Sequence, residues 1–234
     1  MSNSLSVVII TKNEENFIED AIKSAQFAEE IIVLDSSSTD KTCQIAKKLG
    51  AKVYQQQWLG FGAQKNKALD LASNDWIFVL DSDERITLDL KTEIIETLNN
   101  PFFDAYHVPR LNYFFGKNIK TCGLYPDYSI RLFKRSKGRF NNVPVHESVL
   151  VDGRVSKLKN HMIHLAYDNV DEFIAKQKKY AELSLKQKSI IRALIAPCWT
   201  FIRLYFFKLG FIDGSRGFLI SKIYAIYTFW KYFK

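Results

Sequence analysis

The segment WIFVLDSDERIT, residues 76–87, joins an apolar run typical of a buried strand to a cluster of acids. Asp81, Asp83 and Glu84 follow the run in close succession. A strand end does not need so much negative charge in order to fold, whereas ligands of α/β proteins bind beyond the carboxyl ends of the strands. The segment therefore predicts a strand with a functional site at its end.

The residues before this segment alternate between strand patterns and helix patterns. Apolar and β-branched runs predict strands at 5–10, 29–35, 51–56 and 75–81. Apolar residues at helical spacing predict helices at 14–28, 38–50 and 62–73. This alternation predicts an α/β fold with a mainly parallel sheet and helices on both faces.

Polar side chains follow three of the predicted strands. The clusters are Thr11-Lys12-Asn13-Glu14, Asp35-Ser36-Ser37-Ser38 and Asp81-Ser82-Asp83. Because the carboxyl ends of parallel strands meet at one edge of a sheet, we expect the clusters to lie together. A single cluster has a simpler explanation, since Asp35 and Ser38 are residue types that cap a following helix. For Ser38 and Thr39 we expect capping.

Asp81 and Asp83 are two residues apart, and paired carboxylates can hold Mg²⁺ or Mn²⁺ against the phosphates of a substrate. Lys65 and Asn66 precede this strand and could face a phosphate. Asp35 could accept a hydrogen bond from a nucleobase N–H. One Asp-x-Asp pattern is common by chance, so solvated loop acids are the alternative.

The net charge of +8 is unevenly distributed along the chain. Residues 1–100 hold 10 basic and 16 acidic residues, whereas residues 101–234 hold 23 basic and 9 acidic residues. The basic part indicates an anionic partner, either lipid or nucleic acid. The three cysteines are far apart and form no CxxC pair, which argues against a disulfide framework or a zinc site. The N-terminus has no signal-peptide pattern, so we expect a cytoplasmic protein.

Beyond residue 100 the pattern changes. Extended runs at 104–114 and 128–135 predict an antiparallel extension of the sheet. From about residue 168 the sequence is helical in pattern, with breaks expected near Pro197 and at Asp213-Gly214.

The C-terminal helices have the composition of a membrane interface. Residues 190–212 are apolar but contain Arg192, Arg203 and Lys208, so we do not expect a spanning helix. Residues 199–233 hold 13 of the 33 aromatic residues, interleaved with Lys and Arg. Such helices suit the headgroup layer of a membrane. A hairpin packed on the catalytic domain and a dimer interface are the alternatives, and nucleic acid ranks lower because no RNA-binding motif is present.

The motifs VVIITKNEE, IIVLDSSSTDKT, GFGAQKNKAL and WIFVLDSDERIT resemble, in order and spacing, the nucleotide-binding half of glycosyltransferase family 2. PDYSIRLFKR, NVPVHE and HLAY are similar to its bacterial lipopolysaccharide core β-glucosyltransferases. The resemblance implies a GT-A fold, a nucleotide-diphosphate sugar donor and inversion at the anomeric carbon. We therefore predict a GT-A domain at 1–165, with a donor half at 1–100 and an acceptor half at 101–165. A helical membrane-interface region follows at 166–234.

The matching motifs imply which residues bind the donor. Thr11 and Glu14 would contact the uridine, and Asp35 the edge of the uracil. Asp81 would lie near the ribose, and Lys65 would make a further donor contact.

The resemblance also makes Asp83 the ligand of a divalent cation, Mg²⁺ or Mn²⁺. His164 is a candidate second ligand, because metal-dependent GT-A enzymes sometimes use a late histidine; a histidine satisfied in the core is the alternative. His161 is expected to be structural. Arg131 could contact the acceptor or a diphosphate, or it could be a salt-bridged strand arginine.

Inversion requires a base that removes the proton of the acceptor hydroxyl. Many relatives carry Glu-Asp at this point, whereas this chain has His146-Glu147. We match Glu147 to the base by position. His146, with an ordinary pKa of about 6.5, also suits the role, or it forms part of the pocket wall.

The resemblance thus implies an inverting, metal-dependent hexosyltransferase. Its expected donor is UDP-glucose, and its expected acceptor is a heptose of the lipid-anchored lipopolysaccharide inner core. We expect a peripheral protein on anionic lipid at the cytoplasmic face of the inner membrane, with no nucleic-acid partner. An isoprenoid-lipid-linked acceptor is one alternative. A non-catalytic membrane-bound nucleotide-sugar-binding protein is another, against which Asp81, Asp83 and Glu147 argue.

Overall fold

The structure is a computed structural model that describes residues 3–141, 143, 147–167, 169–183 and 189–233. The chain divides into two compact units. The first unit comprises residues 1–110 and 128–164, and the second unit comprises residues 111–127 and 165–234. His146, one of the two candidate bases, lies outside the described residues.

The helices and strands follow the chain in this order. Up to residue 100 they are β1 (Leu5–Thr11), α1 (Ile18–Ala25), β2 (Glu30–Asp35), α2 (Thr42–Lys48), β3 (Lys52–Gln55), α3 (Phe61–Asp70), β4 (Trp76–Asp81), β5 (Glu84–Ile86) and α4 (Leu88–Asn99). The later strands are β6 (Ala105–Phe114), β7 (Lys117–Asn118), β8 (Asp127–Lys134), β9 (Gly138–Phe140), β10 (Val149–Val151), β11 (Val155–Lys157) and β12 (Met162–Tyr167). The later helices are α5 (Val170–Leu183), α6 (Ile190–Ile202) and α7 (Gly214–Phe233).

The main sheet has the strand order β3-β2-β1-β4-β8-β6-β12-β5. The strands from β3 to β4 are parallel, and β8 is antiparallel to β4, as the sequence predicts. Thr11 is in register with Asp35, and Ile10 is in register with Asp81. The three polar clusters therefore lie at one edge of the sheet, which confirms the expectation from the sequence.

The core of the first unit lies on both faces of this sheet. Trp76, Phe78 and Leu80 of β4 pack into one apolar cluster, and Ile77 and Val79 pack into the other. Successive side chains of a strand point to opposite faces, so a strand covered by helices on both sides must be apolar throughout. This requirement explains the uninterrupted run that precedes Asp81.

The second unit contains the C-terminal helices. The break predicted near Pro197 is wrong, because α6 runs through this residue and passes into a π-helical segment, Arg203–Phe207. The missing N–H of a proline removes one hydrogen bond of the helix, and the packing of α6 against α7 supports the rest. The break at Asp213-Gly214 is confirmed, since a short 3₁₀ helix ends at Asp213 and α7 begins at the next residue.

Candidate functional site

The loops after β1 and β2 are fastened to each other at the carboxyl edge of the sheet. The N–H of Asn13 donates to Ser38 Oγ at 2.8 Å, and the N–H of Thr39 donates to Asn13 Oδ1 at 2.8 Å. The N–H of Glu14 donates to Thr42 Oγ1 at 2.8 Å. Asn13 takes a left-handed φ of 55°, a conformation that asparagine tolerates better than most residues. The two loops therefore form one preorganised surface.

Asp35 lies at this edge and is fully buried. Ser38 donates to both of its carboxylate oxygens, through its N–H at 2.9 Å and through its hydroxyl. The expectation that Asp35, Ser38 or Thr39 caps the next helix is wrong, since Lys41 occupies the N-cap position. The helix α2 begins only at Thr42, because Ser38 is held in the loop by Asp35 and Asn13.

Thr11, the register partner of Asp35, is also buried. Its Oγ1 has no hydrogen-bond partner among the residues that the structure describes. A buried hydroxyl without a partner is unfavourable, which fits a group that a bound ligand would satisfy. The side chain of Glu14 is half-buried in the same loop.

The acids at the end of β4 are held mainly by cations. Asp81 Oδ1 lies 3.1 Å from Lys65 Nζ, and Asp81 Oδ2 lies 2.9 Å from Arg131 Nη2. Glu84 is fully buried, with Oε1 at 2.6 Å from Arg131 Nη2 and 3.7 Å from Arg110 Nη1. Glu84 Oε2 also accepts from the N–H of Asp81 at 3.0 Å. Glu84 thus fixes the end of β4, and Arg131 is ion-paired.

The pKa values of these groups shift in opposite directions. Burial acts to raise the pKa of Asp81, but the charges of Lys65 and Arg131 outweigh it and hold that pKa well below its usual range. Burial raises the pKa of Glu84, against the opposing charge of Arg131. The pKa of Arg131 lies above its usual value, because Glu84 and Asp81 outweigh its burial.

Asp83 and His164 form a pair apart from these ion pairs. Asp83 Oδ2 lies 3.4 Å from His164 Nε2, and their side chains are 34% and 18% exposed. They meet because β12 runs antiparallel to β5, which places His164 opposite Glu84. Within the described residues no group of three His, Cys, Asp or Glu side chains could hold a metal ion. The two could still hold one cation together with water and substrate oxygens, as Mg²⁺ usually does.

Lys65 connects Asp81, at the carboxyl edge of the sheet, to the candidate base Glu147. Its Nζ lies 2.9 Å from Glu147 Oε1 and 3.1 Å from Asp81 Oδ1, and Lys65 is only 5% exposed. The amide of Asn66 exchanges two hydrogen bonds of 2.9 Å with the backbone of Phe140. This reciprocal pair fixes α3 beside β9 and so orients the lysine.

Some residues of the site were not apparent from the sequence. Gln64 is fully buried, accepts from the N–H of Leu59 at 3.3 Å and donates to Ser36 Oγ at 3.0 Å. Arg110, on β6, reaches Glu84. Their polar side chains are visible in the sequence, but the sequence does not reveal their partners.

Two sequence comparisons bear on this geometry. A family model described as "Glycosyl transferase family 2" matches residues 6–151. An uncharacterized glycosyltransferase of Rickettsia bellii (strain RML369-C) is 32% identical over 251 residues, covering 98% of this chain and 85% of the relative. The lipopolysaccharide core biosynthesis glycosyltransferase LpsC of Rhizobium meliloti (strain 1021) is 29% identical over 240 residues. The match covers 96% of this chain and 89% of the relative.

A solved structure is similar in fold. The crystal structure of S. aureus TarS 1-349 in complex with UDP matches with a TM-score of 0.52 at 18% sequence identity. The match covers 90% of this chain and 75% of that chain. It confirms the expected α/β architecture of the GT-A type.

Proposed function

This chain belongs to glycosyltransferase family 2, and we propose that it transfers a hexose from a UDP-sugar, with inversion, to a lipid-anchored lipopolysaccharide inner-core sugar. The donor that we propose is UDP-glucose, and the acceptor sugar is a heptose. One arrangement supports this chemistry above all. Asp83, two residues after Asp81, pairs with His164, and Lys65 joins Asp81 to Glu147.

A divalent cation fits the residues that are present. Asp83 and His164 supply one oxygen and one nitrogen donor, and both side chains retain exposure to solvent. A bound Mg²⁺ or Mn²⁺ would neutralise the charge of the diphosphate leaving group. Asp81 is committed to Lys65 and Arg131, so we assign it to shaping the donor pocket rather than to the cation.

The donor nucleoside would lie against the joined loops after β1 and β2. Asp35 and Glu14 offer carboxylate oxygens there, and Thr11 offers an unpaired hydroxyl. The bonds between the loops give these groups fixed positions before any ligand arrives. Preorganisation of this kind lowers the entropy lost on binding.

Glu147 is our candidate for the base. In the transfer, the acceptor oxygen bonds to the anomeric carbon, and the bond from that carbon to the diphosphate oxygen breaks. The proton of the acceptor hydroxyl passes to a carboxylate oxygen of Glu147. Lys65 holds this carboxylate at 2.9 Å, which fixes its place relative to the donor edge. The role of His146 stays a prediction.

The acceptor and the location are proposed from the relatives and from the second unit. One relative bears the name of a lipopolysaccharide core enzyme. By length and composition, the stretch Ile190–Phe207 could cross a membrane, and 11% of it is buried. One such helix is weak evidence for a span, and its two arginines favour a position in the interface. We therefore propose a peripheral enzyme on anionic lipid at the cytoplasmic face of the inner membrane.

Calorimetric titration tests the donor site. We expect UDP to bind the wild-type protein more tightly with Mn²⁺ than without it. Asp83→Asn should weaken the Mn²⁺-dependent binding by about tenfold, the effect of one charge-assisted contact of roughly 1.5 kcal/mol. Asp89→Asn, at an exposed position, is the matched control. Equal Mn²⁺-dependent binding by the Asp83 variant and the wild type would refute the metal assignment.

Transfer assays test the acceptor. The enzyme, UDP-[¹⁴C]glucose and lipopolysaccharide truncated to its inner-core heptose should give a labelled product. Glu147→Gln should bind UDP normally and form none. If label appears only on an isoprenoid phosphate glycan, the alternative acceptor is correct. If UDP binds but no acceptor of either kind is labelled, the non-catalytic alternative gains support.

A further inference from the structure

A groove lies between α6 and α7 of the second unit. The two helices are joined by a 3.2 Å contact between the hydroxyls of Thr200 and Thr228. At the other end of α6, the N–H of Ser189 donates to the carbonyl of Tyr232 at 3.3 Å. Along these helices lies a space of about 490 Å³ that is open to solvent. A volume of this size is typical of small-molecule sites.

The lining is apolar except for one cation. Ala193, Pro197 and Cys198 line the groove from α6, and Ala225 and Phe229 line it from α7. Lys222 is the one charged residue of the lining, and it is exposed. The lining therefore suits an apolar chain with a negative group at one end, since a chain of this kind buries the groove walls and pairs with the lysine.

The surface around the groove has the same character. Exposed apolar side chains continue along α6 at Ile191, Ile195 and Trp199. Residues 189–233 contain six basic residues and one acid, Asp213. The carboxylate of Asp213 accepts a hydrogen bond of 2.5 Å from Thr121, so that the cations dominate this surface. The charge favours an anionic occupant.

A second copy of the chain fits this surface less well. In a symmetric dimer the same patch faces itself, and the cations of one copy would oppose those of the other. Like charges brought together in an interface are unfavourable. An anionic phospholipid has the complementary charge and supplies the apolar chain.

We propose that the groove between α6 and α7 binds one acyl chain of an anionic membrane phospholipid, with Lys222 pairing with its phosphate. This inference rests on the proposed membrane association and adds a specific lipid site to it. The site would hold the second unit at a defined depth in the headgroup layer. An apolar helix surface without a groove would not stop at one bound lipid chain per protein molecule.

Binding of a monomeric lipid tests the site in the full-length protein. The probe is myristoyl lysophosphatidylglycerol below its critical micelle concentration, titrated by calorimetry. We expect saturable one-to-one binding to the wild type. Lys222→Ala should weaken it about fivefold, the contribution of one cation near an anionic lipid. Ala225→Trp should abolish it by filling the groove, whereas Ile195→Trp, on the same surface but outside the groove, should bind as the wild type does.

Cys198 provides a second readout. Cys122 is buried, so in a Cys43→Ser variant Cys198 is the exposed thiol of the chain. Saturating lysolipid should slow its reaction with maleimide, and Ala225→Trp should remove the effect of the lipid. If Cys198 is shielded from maleimide without lipid because the protein forms a dimer, the proposal is overturned. A second copy of the chain is then the occupant of the groove.

Sedimentation with phosphatidylglycerol vesicles separates this inference from the proposed function. Vesicle binding without lysolipid binding would overturn the groove site and leave membrane association intact. If the protein binds neither the vesicles nor the lysolipid, both the groove site and the proposed membrane association are refuted. Preferential binding of lipid A over the lysolipid would overturn the assignment to a bilayer phospholipid and make the groove part of the acceptor site.

Discussion

A single ammonium group joins the two carboxylates on which the proposed chemistry depends. Lys65 lies between Asp81 and Glu147 and is almost completely buried. A buried cation that pairs with two carboxylates has a well-defined position, because a buried charge without partners is unfavourable. We therefore propose that Lys65 positions the candidate base.

Replacement of Lys65 should impair transfer more than folding. We expect Lys65→Met to lower kcat by about 100-fold, the lower range of what a general base contributes, because Glu147 loses its anchor. Lys65→Arg should retain part of the activity, since it keeps the charge. Steady-state kinetics with UDP-glucose and a truncated lipopolysaccharide measure the effect, and thermal unfolding controls for the fold. Wild-type kcat in Lys65→Met would show that the contact does not position the base.

The sequence indicated which polar residues gather at the site but not how they pair. Thr11, Asp35 and Asp81 could be placed together because register in a parallel sheet follows from the strand pattern. The bond of Arg131 with Glu84 spans 47 residues, and that of Lys65 with Glu147 spans 82. The periodicity of a sequence does not indicate which charged residues form ion pairs at such separations. These pairs could therefore be identified only from the structure.

At the level of the elements, one carboxylate links the amino-terminal ends of the parallel strands. Glu30 of β2 accepts from Ser6 of β1, from Lys52 of β3 and from Ser73 in the turn before β4. Burial acts to raise its pKa, but these hydrogen bonds outweigh burial and lower the pKa to about 2. The folded state therefore favours the ionised form of Glu30.

This shift predicts a pH-dependent loss of stability. The contribution of Glu30 is complete above its unfolded pKa of about 4.5 and disappears as the pH falls towards 2. Glu30→Gln should lower the free energy of unfolding by up to about 3 kcal/mol at neutral pH, and the difference should roughly halve by about pH 3. Urea unfolding at both pH values measures it, with exposed Glu96→Gln as the control. A pH-independent difference would contradict this account.

The close approach of α7 to the turn before it depends on one glycine. A Cβ on Gly217 would lie 1.8 Å from the carbonyl oxygen of Gly210. We therefore expect Gly217→Ala to destabilise the second unit by about 1–3 kcal/mol, the usual effect of overpacking, although alanine is the better helix former. Thermal unfolding measures the change, and Ser215→Ala, exposed on the same helix, is the control. An unchanged midpoint would show that the turn can move aside.

The ends of the elements were harder to predict than their order. All four strands predicted before residue 81 are present, whereas α1 begins at Ile18 rather than at residue 14. The carbonyl of Glu14 accepts from the N–H groups of Phe17 and Ile18 and so forms a turn before the helix. Such local hydrogen bonds compete with helix formation and leave the apolar pattern unchanged.

At the scale of the whole molecule, the charge is divided along the chain. The acidic part, residues 1–100, contributes the strand ends with the candidate site. The basic excess continues into the C-terminal helices, which also expose large apolar side chains. We therefore expect two separable attractions to a bilayer, one electrostatic and one apolar.

Salt should separate these two attractions. We expect binding to phosphatidylglycerol vesicles to weaken by about tenfold or more between low salt and roughly 0.5 M NaCl, because screening shortens the range of the attraction between cations and headgroups. A residual affinity should remain, since burial of Ile191, Ile195 and Trp199 does not depend on salt. Ile191→Ser with Ile195→Ser should weaken that residual affinity and leave the salt-dependent part unchanged. Binding that is independent of salt, or that is as strong to phosphatidylcholine, would contradict an electrostatic role for the basic C-terminal helices.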